Sequence, residues 1–248
     1  MVDVVLILGS GPNVIAAADW PRAACDRIVA INNAWAVRDD WDDLIYPEDF
    51  PSDRRPARVR TGQRLIEAQA FVPAQNAFGG FVYGGGTMAF TAGYWALHAL
   101  RPRVMAFMGC DMVYPSVGPT HYYGTGAADP LREDVTLRDL GAKAARLGLL
   151  AAREGCACVN LSNDPSQLVF PQVAVHELRQ ISAPEVRENA DLREVLRVEQ
   201  ETGYFVPSGR YWEDTQYFDE KQLARIDDQW RTAYARLGAS VIRHRNAA

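Results

Sequence analysis

The chain opens on an uninterrupted apolar run, Val4-Val5-Leu6-Ile7-Leu8, that leads directly into Gly9-Ser10-Gly11-Pro12-Asn13. A run this short, without polar alternation and stopped by glycine, is the pattern of a strand buried on both faces. Such a strand, extending over Val2 to Leu8, sits inside a parallel sheet, and parallel strands need helical crossovers. Together with the strand–helix alternation that follows, this points to the α/β class. The glycines let the backbone turn sharply and approach a ligand closely. A helix starting after the turn would present free N–H groups to a phosphate. The spacing is neither a full dinucleotide fingerprint nor a Walker loop, because no third glycine and no Lys-Ser/Thr follow. An ordinary strand-to-helix turn is the competing reading.

The remainder of the first half supplies the alternation that the opening strand requires. Asn13 to Asp19 is expected as a short helix and Arg27 to Ile31 as a second strand ending at Asn32-Asn33. Asp43 to Tyr46 is expected as a third strand. Residues 46–60, rich in Pro, Asp and Arg, read as loop. Gln63 to Ala70 has helical character, and Ala70 to Val72 reads as a further strand. Thr87 to Leu100 is a buried helix stopped before Arg101-Pro102. Val104 to Met108 is a strand, Leu137 to Glu154 a helix stopped by Gly155, and Cys156 to Leu161 a last strand. Beyond Phe170 the character changes to a charged helix (Pro184 to Glu201), an aromatic stretch from Gly203 to Tyr217, and a second amphipathic helix (Glu220 to Leu237). The expected architecture is a Rossmann-like open, mostly parallel sheet with helices on both faces. Residues 1–170 form its nucleotide-binding catalytic core, and residues 171–248 a C-terminal helical appendage or lid.

The 248 residues suit one α/β core with a smaller appendage, and 48% apolar content is enough to fill it. A net charge of −5 argues against a partner that is a nucleic-acid backbone, which demands a basic face. No apolar run reaches the roughly 18 residues of a membrane span. The opening run follows Asp3 and lacks a basic flank, so it reads as a strand rather than a signal peptide. Cys25 and Cys110 have no ligand spacing. Cys156 and Cys158 alternate on one strand face, which places them as buried reduced thiols in a cytoplasmic protein. A homo-oligomer is compatible with all of this.

Four further positions carry chemistry. In an open α/β sheet the carboxyl ends of strands line the ligand crevice. Asn32 and Asn33 end the second strand, where paired amides would read a base or ribose, or else cap a turn. Gly84-Gly85-Gly86-Thr87 precedes the buried helix. Three glycines argue for close backbone approach, and Thr87 suits a helix cap. Gly109-Cys110-Asp111 ends the Val104 strand, where a carboxylate would hold a ribose, an acceptor hydroxyl or magnesium. His121-Tyr122-Tyr123-Gly124 follows in the next loop. Histidine is the commonest general base, and tyrosines beside it would donate to phosphate oxygens. The aromatic residues at 204–218 would either dock the appendage or close over a ligand.

The order of these features resembles the MptE-like 6-hydroxymethylpterin diphosphokinase family, which also contains the motility accessory factors that glycosylate flagellin. The matching residues are the GSGPN turn, Asn32-Asn33, the glycine-rich turn before a helix, and Gly109, Asp111, Tyr114, Gly118, Thr120 and His121. The pattern is distantly similar to bacterial sialyltransferases of glycosyltransferase family 42. Those carry an arginine before their Ser-Gly, where this chain has Val82-Tyr83. The resemblance covers about residues 2 to 165.

It implies a transferase, with nucleotide-sugar glycosyl transfer in first place. Gly9, Ser10, Gly11, Pro12, Asn13, Asn32, Asn33, Gly85, Gly86 and Thr87 would hold a nucleotide-activated donor, such as a CMP-linked acidic sugar. His121 would act as base on the hydroxyl of a glycan or small-molecule acceptor. Asp111 would orient that base or bind the acceptor. Tyr114, Tyr122 and Tyr123 would steady the departing phosphate. No metal or other cofactor is needed in that reading. The alternative is an ATP-using diphosphokinase acting on a hydroxymethyl, pterin-like substrate, with Asp111 holding Mg2+. The third reading is a non-catalytic nucleotide- or glycan-binding module.

Overall fold

A computed structural model describes residues 2–126, 133–186 and 190–245, with side chains through residue 237. Six strands form one sheet: β1 (Val4–Leu8), β2 (Arg27–Ile31), β3 (Asp43–Ile45), β4 (Arg64–Ile66), β5 (Val104–Met108) and β6 (Ala157–Asn160). Every pairing is parallel, in the order β4-β3-β2-β1-β5-β6. All five residues of β1 and of β5 are buried, as their unbroken apolar sequences require. The chain therefore winds outward from β1 to β4, returns, and winds the other way through β5 and β6. The reversal puts a topological switch point between the carboxyl ends of β1 and β5.

The two faces of the sheet are covered differently. Val5, Ile7, Val29, Ile45, Met105 and Phe107 face a thick layer of α-helices. That layer holds α1 (Ala68–Asn76), the single turn α2 (Phe81–Gly84), α3 (Met88–Leu100) and α4 (Leu140–Arg153). Leu6, Leu8, Ile28, Ala30, Ala106 and Met108 face the other way. There the cover includes tight 3-10 turns at Pro12–Asp19, Asn32–Ala36 and Val175–Gln180, so the expected helix after Gly11 is a 3-10 helix begun by Pro12. Cys156 and Cys158 do share a face, the α-helical one.

One stretch differs from expectation. Gln63 to Ala70 does not form a helix, and Ala70 to Val72 is not a strand. Instead β4 occupies Arg64–Ile66 and α1 starts at Ala68. The cause is tertiary. β4 is a three-residue edge strand with Arg64 and Leu65 exposed, so it carries no burial pattern. Its registration comes from Asp43 on β3, wholly buried, which accepts from Arg64 Nε and from Arg27 Nε at 2.7 Å each.

Of the C-terminal helices, α6 (Glu220–Arg245) packs on α4, and α5 (Ala190–Thr202) packs on α6. Leu192, Val195, Leu223, Ile226 and Trp230 join the same hydrophobic cluster as Phe107 and Leu147, so this segment completes the core as well as flanking the site. Two buried ion pairs fix the arrangement. Lys143 Nζ lies 2.8 Å from Asp227 Oδ1. Arg146 donates to Glu199 (2.7 and 2.8 Å), to the Tyr94 hydroxyl (2.8 Å) and to the Phe78 carbonyl (2.6 Å). Burial works against the Arg146 charge, but Glu199 and Tyr94 outweigh it and hold its pKa above the ordinary value. Burial raises the Asp227 pKa despite the nearby Lys143. Among the described residues no helix is long and apolar enough to cross a membrane.

Candidate functional site

A cleft of about 1030 Å³ opens over the carboxyl ends of the strands at the switch point. Into it the fold brings Gly9 through Asn13, Asn32, Asn33, Gly86, Thr87, Asp111, Tyr114, His121 and Tyr123. Gly85 and Tyr122, expected at the site, do not line it. The Tyr122 hydroxyl donates to the Asn33 carbonyl (2.6 Å), and its backbone N–H donates to the Ser10 carbonyl (3.0 Å). Burial and then Tyr123 push its phenol pKa up. Tyr122 is thus a clasp that holds the 121–124 turn onto the β1 and β2 ends, and its hydroxyl is not presented to a phosphate. Gly85 sits in the left-handed region at φ 90°, where a Cβ would strike Phe90 at 2.8 Å. Its carbonyl is taken by the Gln75 side chain. Helix packing, rather than a ligand, requires that glycine.

The opening turn is also built differently from a phosphate cradle. The N–H groups of Gly9 and Gly11 donate to the carbonyls of Met108 and Gly109, both at 2.8 Å. A Cβ on Gly9 would lie 2.3 Å from the Gly109 oxygen, and one on Gly11 2.9 Å from it. The glycines therefore let the β1 and β5 turns interlock. Three side-chain oxygens on residues of the cleft wall lack partners among the described residues. Ser10 Oγ, Asn13 Oδ1 and Asn32 Oδ1 are buried without a hydrogen-bond partner among the described residues. An orphaned buried polar atom costs about 1–3 kcal/mol, so three in one cleft mark a place built for a ligand or ordered water. Strain gathers here too. Asn32 (φ 51°) and Met112 (φ 54°) are non-glycine residues in the left-handed region, and both line the cleft.

Asp111 is 9% exposed and is gripped from both sides. Its Oδ2 accepts from Asn13 Nδ2 (2.7 Å) and its Oδ1 from Asn160 Nδ2 (3.3 Å). The same Asn13 nitrogen reaches Ser162 Oγ (2.8 Å) and Asp164 Oδ2 (2.9 Å). Asn160, the last residue of β6, and Ser162 and Asp164 beyond it were not anticipated from the sequence. Applying the strand-end rule to β6 as to the other strands would have found them. Burial, and then the Asp111 carboxylate, push the Cys110 thiol up, so it is a neutral neighbour and no nucleophile.

His121 stands at the cleft edge in a turn closed by hydrogen bonds between its backbone and that of Gly124. Its Nδ1 is 2.9 Å from Thr120 Oγ1, its ring stacks on Tyr123 at 5.0 Å, and Tyr114 is tilted against it at 6.2 Å. The imidazole is thereby oriented by a hydroxyl and two aromatic rings. Thr87 caps α3 by accepting from Phe90 N–H. Gly86 approaches the protein itself, since a Cβ there would meet the Tyr211 hydroxyl at 2.3 Å. That hydroxyl donates to Asp134 (2.8 Å), which ties the aromatic stretch to the cleft wall. Tyr211 and Trp212 line the cleft, whereas Tyr204 stacks on Tyr83 and packs against Phe218. The aromatic stretch thus both docks the C-terminal helices and walls the cleft. No group of three or more His, Cys, Asp or Glu is arranged for a metal among the described residues.

No family model matches the chain, and no curated protein and no solved structure matches it.

Proposed function

We propose that the chain is a transferase that takes a nucleotide-activated donor in the switch-point cleft, with glycosyl transfer to an acceptor hydroxyl as its reaction. The observation that carries this reading is the convergence on one cleft of three orphaned oxygens, two strained residues and an oriented histidine. The donor lies across the end of β1. His121 takes the proton from the acceptor hydroxyl, and the Thr120 hydroxyl at Nδ1 sets the ring for that role. Asp111, held by Asn13 and Asn160, receives an acceptor or donor hydroxyl. Tyr123, in the turn clasped onto the β1 and β2 ends, borders the departing phosphate, and Tyr114 flanks the His121 ring. The resemblance to the MptE-like and sialyltransferase families rests on the residue pattern alone and favours the same reading. The test is incubation with a panel of nucleotide sugars, CMP-linked acidic sugars included, scoring nucleotide release. Release by the wild type that falls by about 10²–10⁴ in His121→Ala is the expected result.

A specific observation favours a second reading, ATP-dependent diphosphate transfer. The carboxylates of Asp111 and Asp164 meet at one amide nitrogen, and hard carboxylate oxygens of this kind fit Mg2+. There the ion would neutralise phosphate charge, while Asn13 and Asn160 keep Asp111 in place. Silence with every nucleotide sugar, together with EDTA-sensitive AMP release from ATP, would replace the first reading by the second. Ligand binding without turnover of either kind would leave a binding module.

A further inference from the structure

Six carboxylates line the cleft among the described residues: Glu48, Asp49, Asp111, Glu133, Asp134 and Asp164. Among the described residues only two arginines line the cleft with them, Arg54 and Arg210. A phosphate entering such a field is repelled unless a cation receives it. Arg210 is already engaged, with nitrogens 3.5 Å from Glu48 and 3.8 Å from Glu213. The adjacent Arg55 packs its guanidinium over the Tyr46 ring at 4.5 Å and donates to the Phe50 carbonyl. Arg54 alone among these makes no ion pair with any described residue.

Its backbone is nevertheless held in place. The Arg54 N–H donates to the Pro51 carbonyl (3.1 Å), and its carbonyl accepts from the Trp35 indole (2.9 Å). Trp35 belongs to the same 3-10 turn as Asn32. Arg54 therefore stands on the β2–β3 side of β1, beside the strained Asn32. Asp111 and Asp164 follow β5 and β6, on the other side of β1. The glycine amides between them are occupied by Met108 and Gly109.

We propose that Arg54 is the phosphate-binding residue of this cleft, so that the ligand's phosphate lies on the β2–β3 side and not in the Gly9–Asn13 turn. This deepens the nucleotide reading above and rests on it. A guanidinium presents paired donors to phosphate oxygens in a geometry that an ammonium does not match. The acceptor-rich β5–β6 side is left for hydroxyl and amino groups of the same ligand.

Calorimetric titration of CMP, AMP, cytidine, adenosine and inorganic pyrophosphate into the wild type, Arg54→Ala, Arg54→Lys and Arg58→Ala tests it. Arg58 is exposed, does not line the cleft, and controls for loss of surface charge. The expected result is about tenfold weaker nucleotide binding in Arg54→Ala, the size of a lost charge-assisted hydrogen bond. Nucleoside binding stays unchanged, Arg54→Lys is intermediate, and Arg58→Ala matches the wild type. Nucleotide affinity that is unaltered in Arg54→Ala, or that falls in step with nucleoside affinity, overturns the proposal. If the wild type binds no nucleotide or nucleoside, the nucleotide reading fails by itself, and pyrophosphate decides the role of Arg54. Pyrophosphate binding that Arg54→Ala abolishes sustains an anion site at Arg54. Pyrophosphate that fails to bind, or binds equally to both proteins, refutes it.

Discussion

Replacing Gly9 by alanine separates two reasons for a glycine after β1. If the glycine exists to let a ligand approach, the substitution weakens binding and leaves the empty protein as stable as before. If it exists to interlock the β1 and β5 turns, the empty protein itself is destabilised. The structure supports the second reason. Gly9 is not in the left-handed region, so alanine suffers no backbone penalty there. All of the effect must come from contact. The new Cβ would lie 2.3 Å from the Gly109 oxygen, 2.7 Å from Cys110 Sγ and 2.8 Å from the Gly109 carbonyl carbon. Two of these three neighbours are backbone and cannot rotate away, so the turns must part. Overpacking of this kind costs about 1–3 kcal/mol. For a domain of this size each kcal/mol moves the melting temperature by about 2–4 °C, so the expected drop is about 2–12 °C. Thermal unfolding of ligand-free wild type, Gly9→Ala and Gly118→Ala measures it. Gly118 is no neutral control for backbone, since its φ is 106°, but a Cβ there meets nothing within 4 Å, so contact plays no part in its cost. An unfolding midpoint for Gly9→Ala equal to that of the wild type would refute the interlock.

Two other predictions concern the frame of the fold away from the cleft. Arg146→Met leaves Glu199 buried with, among the described residues, only the Trp230 indole donating to its carboxylate. A loss of about 3–5 kcal/mol in urea unfolding is expected, with much of it recovered in Arg146→Met/Glu199→Met; a loss below about 1 kcal/mol in the single variant would contradict this. Asp26 is held down from its ordinary 3.8 to about 2, chiefly by hydrogen bonds from Arg179, against an opposing burial effect and with help from the Val4 and Asp3 N–H groups. Because the folded pKa is the lower one, its contribution is present above pH 3.8 and is lost as the pH falls towards about 2. Asp26→Asn should flatten stability against pH in that window, and an acid slope identical to the wild type would count against the pairing.

Much of the sheet was legible because each central strand is a continuous apolar run closed by a polar or glycine turn. Val4–Leu8 and Val104–Met108 announce themselves in this way. β4 did not, because Arg64 is registered by Asp43, 21 residues earlier, and not by any pattern of its own. The charged residues of α4 were equally opaque. Lys143 and Arg146 look like a solvent face until Asp227 and Glu199 arrive from 84 and 53 residues away. At the site, residue types after glycine and at strand ends identified Asn13, Asn32, Asp111 and His121 as cleft-lining. They misplaced Gly85 and Tyr122, whose roles depend on Phe90 and on the Asn33 carbonyl. Asp164 went unnoticed because its importance lies in sharing the Asn13 amide with Asp111, a contact across 151 residues.

The most direct measurement is the thermal shift of the wild type and Asn32→Ala with CMP and with AMP. At a hundredfold excess over the dissociation constant, a bound ligand adds about 2.7 kcal/mol, which is about 5–11 °C at this chain length. If the switch-point cleft is the ligand site, one of the two nucleotides raises the wild-type melting temperature by that amount, and Asn32→Ala, which removes an orphaned oxygen from the cleft wall, loses most of the shift. A shift that survives intact in Asn32→Ala, or no shift in the wild type with either nucleotide, would contradict it.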